Sequence, residues 1–264
     1  LGCQAKPHSD CNIKVRLIDH YKPHIAPKRV QGTFTGQHDI THDIREFRFT
    51  LDEPVMFLPG QYALLHVPGI QGGRAYSMSN VTSDGKEWHF QIRRVPNGQC
   101  TTALFDRLQV GEKIGLDGPY GMAYLREDAE RDILCLGGGS GLAPVVSIAR
   151  GWAKSDKLKG RKLHFIYGGR TPADICGEDM LKELRGYGVD LHYYPVVSMA
   201  DAAQNGGWTG LTGFVHDVAA QTFGDGLKDM EIYFAGPPMM AEAVMRLVVE
   251  KKIPPTQVHY DQFV

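Results

Sequence analysis

The stretch LCLGGGSGLAP, residues 134–144, runs from an apolar segment through a glycine cluster into helix-forming residues. Glycines at such a junction let the backbone approach a phosphate closely. The helix that starts behind them offers unpaired N–H groups and the positive end of its dipole. Pro144 suits the first helical turn, where its missing N–H would have been unbonded anyway. Two tighter labels fail. No GK[ST] follows, so this is not a Walker loop. GxGxx[GA] fails too, because the sixth residue is Leu142 counted from Gly137 and Pro144 counted from Gly139. On this segment alone, a glycine-rich turn without a ligand remains the alternative.

Outward from that turn, the chain after residue 130 alternates apolar strands with helices. Strands are predicted at 132–137 (DILCLG), 162–168 (KLHFIYG), 190–197 (DLHYYPVV) and 231–236 (EIYFAG), with a fifth at 257–264 (QVHYDQFV). They are apolar on both faces, as buried parallel strands are. Helical spacing lies between them in LAPVVSIARGWAK and in MMAEAVMRLVVEKK, where Met240, Val244, Leu247 and Val248 recur on one face. Such a βαβα run implies an open parallel sheet with right-handed crossovers. Two more turns, FAGPPMM (234–240) and YGGRTPAD (167–174), close strands at the same carboxyl edge, where α/β sheets bind ligands. Three such loops on one rim favour a dinucleotide over an empty turn.

Before residue 130 the texture differs. IREFRFTL (44–51) alternates cleanly, with Phe47, Phe49 and Leu51 on one face, and GQYALLHV (60–67) and EWHFQIRRV (87–95) read the same way. Short alternating strands with turn signals describe an antiparallel barrel or sandwich. The expected fold is therefore a small antiparallel Greek-key β-barrel followed by an α/β parallel-sheet domain. A length of 264 residues suits two domains, and 42% hydrophobic with 22% charged residues suits a globular chain. Net charge is −1, from 29 basic and 30 acidic residues, so no global field points to nucleic acid or an anionic membrane. No apolar run approaches the roughly 18–20 residues of a membrane span. Five scattered cysteines without a CxxC pair argue against a disulfide framework and for a reducing, cytoplasmic setting.

In GRAYSMSN (73–80) a cation, an aromatic and a hydroxyl share one strand, with Arg74 and Tyr76 on one face and Ser77 on the other. QIRRVPNGQCTTALF follows, where a glycine turn leads into a helix with Thr101 near its start. RxYS, GxxT, GGGSGLAP and AGPP, in that order over nearly the whole chain, resemble the ferredoxin–NADP reductase superfamily. The resemblance implies FAD between the domains. Arg74 would pair with the pyrophosphate, Tyr76 pack on the isoalloxazine and Ser77 reach the flavin N5 region, with Ala75 lining the same strand. The turn Gly98, Gln99, Cys100 and Thr101 would supply backbone and hydroxyl donors. Arg93 or Gln91 would hold the adenosine side, with Ile92 in the same strand segment. NADH, or NADPH, would sit on Gly138, Gly139, Ser140 and Gly141, with its nicotinamide guided by Gly236 and Pro237. Arg170 would take a 2′-phosphate, or contact the pyrophosphate or ribose of NADH. Phe263 would shield the flavin, Tyr260 being the runner-up, with Asp261 the nearby acid. Ala235 departs from the cysteine many members carry before GPP.

The N-terminal LGCQAKPHSDCNIKV resembles the tail of a plant-type [2Fe–2S] ferredoxin domain, with Cys3 as its last cluster ligand. The rest of that ligand set, CxxxxCxxC, is not in this sequence. Ferredoxin, flavin barrel and NAD domain in that order is typical of bacterial oxygenase reductases. The implied division is 1–20 for the ferredoxin tail, 21–128 for the FAD barrel and 129–264 for the NAD(P) domain. The implied activity passes single electrons from NADH through FAD to a [2Fe–2S] ferredoxin or oxygenase. A free-standing flavin or cytochrome reductase and a non-catalytic flavin-binding regulator are the competing readings. Of the weaker signals, HDITH places His38 and His42 at i, i+4, but ahead of a strand it reads as a solvated turn. Cys135 reads as a core residue, Cys100 as a backbone contributor, and Cys176 shows no partner.

Overall fold

The computed structural model describes residues 7–14 and 22–261. Six antiparallel strands form the first sheet: β1 (Lys28–Asp39), β2 (Ile44–Leu51), β3 (Tyr62–His66), β4 (Arg74–Ser77), β5 (Glu87–Arg93) and β6 (Lys113–Tyr120). Their order is β4-β3-β6-β1-β2-β5. A bridge between Met78 and Phe90 brings the two edges together, so the sheet nearly closes into the expected barrel. The alternation of β2 and β5 determines what fills it: Phe47 pairs with Phe90 and Phe49 with Trp88, all fully buried. Trp88 donates its indole N–H to the Val55 carbonyl at 3.0 Å, so this bulky ring is buried without leaving a donor unpaired. A short helix, α1 (Gln99–Thr102), continues as one π turn and lays Phe105 against Phe47 at 5.2 Å between centroids.

Strands β1 and β6 escaped the sequence reading. Their sequences, KRVQGTFTGQHD and KIGLDGPY, carry few apolar residues and several glycines. Packing explains them. A Cβ on Gly32 would lie 2.5 Å from Leu116 Cδ1 and 3.3 Å from Phe49 Cβ, so glycine there makes room for side chains of both neighbouring strands.

The second sheet is parallel. Its elements are β7 (Asp132–Gly138), α2 (Leu142–Lys154), β8 (Leu163–Gly169), α3 (Glu178–Lys182), β9 (Leu191–Val197), α4 (Ala200–Asn205), β10 (Leu211–Thr212), α5 (Val215–Phe223), β11 (Met230–Ala235), α6 (Pro238–Glu250) and β12 (Val258–Tyr260). The order β10-β9-β8-β7-β11-β12 adds one strand, the two-residue β10, to the five read from sequence. Alternation on β7 feeds two cores. Ile133 and Cys135 face α2 and α3, with Ile148, Trp152 and Leu181, while Leu134 and Leu136 face α5 and α6, with Val218 and Val244. The chain moves outward from β7 to β10, then returns to β11 on the other side of β7. The direction reverses between β7 and β11, which is where α/β sheets open a ligand crevice.

Replacing Trp88 by Ala should remove about 3–5 kcal/mol of barrel stability through cavity formation. Val110, which is 68% exposed, should tolerate Ala within about 0.5 kcal/mol. Urea unfolding followed by circular dichroism distinguishes the two. Equal midpoint shifts would contradict the assignment of the barrel core.

Candidate functional site

The glycine turn sits at the reversal point. Gly139 has φ +55°, a conformation that favours glycine, and its carbonyl accepts a hydrogen bond from the Tyr167 hydroxyl at 3.0 Å. A Cβ on Gly141 would fall 1.9 Å from the Ala235 carbonyl oxygen, so the β7–α2 turn rests directly on the end of β11. Cβ atoms on Gly138 and Gly236 would come within 2.9 and 2.7 Å of Met240 Sδ. The structure thus gathers Gly138, Gly139, Ser140, Gly141 and Gly236 into one glycine-lined rim bounded by Met240, with Pro237 exposed beside it. Helix α2 begins behind this rim with no side-chain cap; its Leu142 N–H bonds back to the Gly139 carbonyl and Pro144 has no N–H. Arg170 is exposed just past β8, its carbonyl bonded by the Met199 N–H at 3.0 Å.

On the barrel, Arg74 and Ala75 are exposed, Tyr76 is half-buried and Ser77 is buried. Arg74 donates only to the carbonyls of its own loop, Gln71 at 3.1 Å and Gly73 at 3.3 Å. Among the described residues no carboxylate pairs with it. The Tyr76 hydroxyl reaches Cys100 Sγ at 3.6 Å, which brings β4 and α1 together. Burial, and then the nearby Cys100, push the Tyr76 phenol well above its ordinary range. The Thr101 hydroxyl turns inward, its one proton within reach of the Val95 and Gly98 carbonyls, and accepts from the Val95 N–H. The Gln99, Cys100 and Thr101 amides have no backbone acceptor among the described residues, so the turn's free donors are its N–H groups.

The strand after them separates three residues read together. Ile92 is fully buried in the barrel core. Gln91 is 2% exposed, donating to Glu46 Oε2 at 3.1 Å and touching Met180 of the second domain at 3.3 Å. Arg93 donates from Nε to Asp43 at 2.6 Å, and its Nη1 lies 3.3 Å from where a Gly139 Cβ would stand. A barrel cation therefore adjoins the dinucleotide rim. Asp261 Oδ2 is buried without a partner among the described residues, beside Tyr62 and 3.0 Å from a Cβ position on Gly121. Burial pushes its carboxyl up to about 6. Tyr260 stacks flat on Phe234, centroids 4.6 Å apart. Phe263 and Cys3 lie outside the described residues.

His38 and His42 do not form a pair. His38 faces Glu46 at 3.7 Å, while His42 faces Asp43 and Asp174 at 3.8 and 3.9 Å. Cys135 is fully buried, as expected of a core residue. Cys176 does have a partner, since its carbonyl accepts from the Tyr193 hydroxyl at 2.6 Å, and burial pushes its thiol up to about 11. A cleft of about 470 Å³ on the barrel is lined by Thr35, Gln37, His38, Arg48, Glu87 and His89, and shares no residue with this site. Sequence reading missed Tyr167, Met240 and Glu46. Glu46 alternates onto the polar face of β2, yet it is 2% exposed. Nothing in the alternation shows that another domain covers that face.

The site's own features fit the groups the motifs imply. An arginine without a counter-ion and free first-turn amides suit a pyrophosphate, and a rim that side chains would fill suits a dinucleotide. The Oxidoreductase FAD-binding domain family matches residues 31–124, and the Oxidoreductase NAD-binding domain family matches residues 135–246. The chain belongs to the ferredoxin–NADP reductase superfamily, and is an FAD- and NAD-binding oxidoreductase. It is 35% identical, over its whole length and 78% of its relative's, to the ferredoxin–NAD(P)(+) reductase CarAd of Metapseudomonas resinovorans. It is 34% identical, again over its whole length and 76% of the relative's, to the reductase component of propane 2-monooxygenase from Mycolicibacterium smegmatis. The structure of a ferredoxin reductase in carbazole 1,9a-dioxygenase superposes on all of the chain and 78% of that protein with a TM-score of 0.87 at 34% identity. Among the described residues no helix is long and apolar enough to cross a membrane.

Gly141→Ala should displace the turn from β11 and weaken NADH binding at least about tenfold, or 1.4 kcal/mol. Equilibrium titration reads this, and unchanged affinity would show that the turn does not carry the nucleotide. The raised Asp261 pKa has a stability sign. The folded state holds the proton that the unfolded state has released, so stability falls as pH rises from the ordinary carboxylate value of 3.8 to about 6. Asp261→Asn should lose that slope and melt higher than the parent at pH 7.5. A parallel pH–Tm profile in the two proteins would refute the burial of a charged Asp261.

Proposed function

We propose that this chain takes reducing equivalents from NADH, with NADPH the second choice, and delivers single electrons to a [2Fe–2S] ferredoxin centre serving an oxygenase. The observation that carries this reading is the convergence at the junction. Tyr76 joins the RAYS strand to the α1 turn through Cys100, and Arg93 of the barrel adjoins Gly139 of the sheet. The acceptor is inferred from the relatives, a ferredoxin–NAD(P)(+) reductase and the reductase component of a propane 2-monooxygenase.

FAD, when bound, supplies the conversion of two-electron delivery into single-electron release. The chain's own residues would do the rest. Arg74 and the Gln99–Thr101 amides would hold the pyrophosphate, the guanidinium by charge-assisted bonds. Tyr76, fixed by Cys100, would offer a ring face for packing, and the buried Ser77 a hydroxyl that donates or accepts. Gly138–Gly141, Gly236 and Pro237 would hold the nicotinamide nucleotide, with Arg170 near its ribose. Arg93 would add positive charge to the nucleotide rim as well as to the adenosine side of FAD. Asp261, nearly buried and unpaired, would hold a proton next to the crevice, and Phe263 would cover its open side. Position and orientation would then carry most of the rate. The domains are taken as 21–128 and 129–264, with residues 1–20 belonging to a ferredoxin segment in which Cys3 ligates the cluster.

A cytochrome acceptor is the second reading, because the chain also superposes on Amycolatopsis cytochrome P450 reductase GcoB with a TM-score of 0.79 at 30% identity. Anaerobic addition of NADH, then NADPH, to the FAD-loaded protein should bleach the flavin band, NADH faster. Failure to bleach would leave a flavin-binding regulator. Transfer from the reduced protein to a [2Fe–2S] ferredoxin, compared with a haem protein, decides the acceptor. Arg74→Ala should weaken FAD retention by roughly tenfold or more, consistent with loss of a charge-assisted bond worth about 1.5–3 kcal/mol.

A further inference from the structure

Helix α2 carries the glycine rim at one end and grips the barrel farther along. Ser147 is fully buried; its hydroxyl donates to the Asn80 carbonyl at 2.8 Å and accepts from the Gly60 N–H at 3.3 Å. Arg150 Nη1 donates to the Ser79 carbonyl at 2.8 Å. A Cβ on Gly151 would fall 2.6 Å from Pro59 Cγ, so the next position lets the helix lie against the β2–β3 turn. Ser147, Arg150 and Gly151 are spaced i, i+3, i+4 and share one helix face.

What they grip is the continuation of the RAYS strand. Met78 bonds Gln61 and bridges Phe90, and the Ser79 N–H donates to His89. The Asn80 side chain is tied at both ends to β5, donating to the Glu87 carbonyl at 2.9 Å and accepting from the His89 N–H at 3.0 Å. Ser77 through Asn80 is therefore a stiff segment. Leu142, the first residue of α2, stands about 7.5 Å up the helix from Ser147 at 1.5 Å rise per residue. One rigid rod spans the interval between the nucleotide rim and the residue next to which the flavin is read.

We propose that Ser147 and Arg150 are positioning residues for hydride transfer: by fastening α2 to Asn80 and Ser79 they set the distance between the glycine rim and Ser77. This rests on the reading of Ser77 and the rim as the two halves of the cofactor site. Two further cross-domain contacts, Arg93 beside Gly139 and His42 near Asp174, involve partly exposed charges that salt screens. The Ser147 contact is dry and uncharged, so it persists. Arg150 also lies in the field of Glu46 from the barrel and Glu183 from the second domain, which balances its charge between the two.

The test uses the FAD-loaded full chain and two variants, Ser147→Ala and Arg150→Met. Anaerobic stopped-flow mixing with NADH gives the limiting rate of flavin bleaching and the half-saturating NADH concentration. The limiting rate should fall about ten- to a hundredfold, the scale on which a misplacement near 1 Å acts. The half-saturating concentration should change less than about threefold, because the nucleotide rim is untouched. Re-oxidation of dithionite-reduced protein by ferricyanide should match the parent, because electron exit does not use α2. Hydrogen exchange at Gly60, whose amide loses its acceptor, should accelerate in Ser147→Ala. A bleaching rate within about twofold of the parent in either folded, FAD-containing variant overturns the proposal, since no misplacement would then exist. If Ser147→Ala does not fold, Arg150→Met decides alone. If the parent itself is not bleached by NADH, the reading of the cofactor site fails instead.

Discussion

The contact of Gly141 with the Ala235 carbonyl is the constraint from which the site follows. With a Cβ position only 1.9 Å from that oxygen, no other residue permits the β7–α2 turn to lie on the end of β11. That contact places the start of α2 at the point where the strand order reverses. It also puts the glycines of both loops around Met240. The crevice is thus the consequence of backbone touching backbone across two strands that lie a hundred residues apart in the chain.

The junction with the barrel is built differently. It is polar, and its polar groups are largely satisfied. Glu46 is the centre: its carboxylate accepts from Arg48, Gln91 and Ser79, and its pKa is lowered although burial alone would raise it. Three donors and nearby cations outweigh the desolvation of one charge, as a buried carboxylate requires. The network lies within the barrel and meets the second domain at two points, Gln91 against Met180 and the Ser79 carbonyl accepting from Arg150. Ser147 works on the same principle without charge. Two backbone groups that would otherwise be buried unpaired find one hydroxyl between them.

Much of this was legible in the residues. The alternation of 44–51 and 87–95, the doubly apolar strands after 130 and the three glycine loops on one rim were each read with their types, and α2 with its limits. What escaped were elements with weak patterns. Strand β1 is polar and glycine-bearing because it must fit beneath Leu116 and Phe49, and β10 is too short to show any period. Among site residues, Gln91 and Ile92 could be placed on β5 but not told apart from Arg93. Pattern gives the face a side chain is on, while its neighbours decide whether that face meets a core, another domain or a crevice.

The sequence by itself determined the two layers of architecture and the chemistry at the turns, because periodicity and glycine act locally. Where these parts meet was decided by tertiary structure. Glu46 is buried against Ser79 and Gln91, Arg93 is delivered to Gly139, and Asp261 comes to rest beside Tyr62, unpaired among the described residues, all through partners far along the chain. Close packing and the pairing of buried polar groups are properties of the assembled fold, and no local pattern carries them.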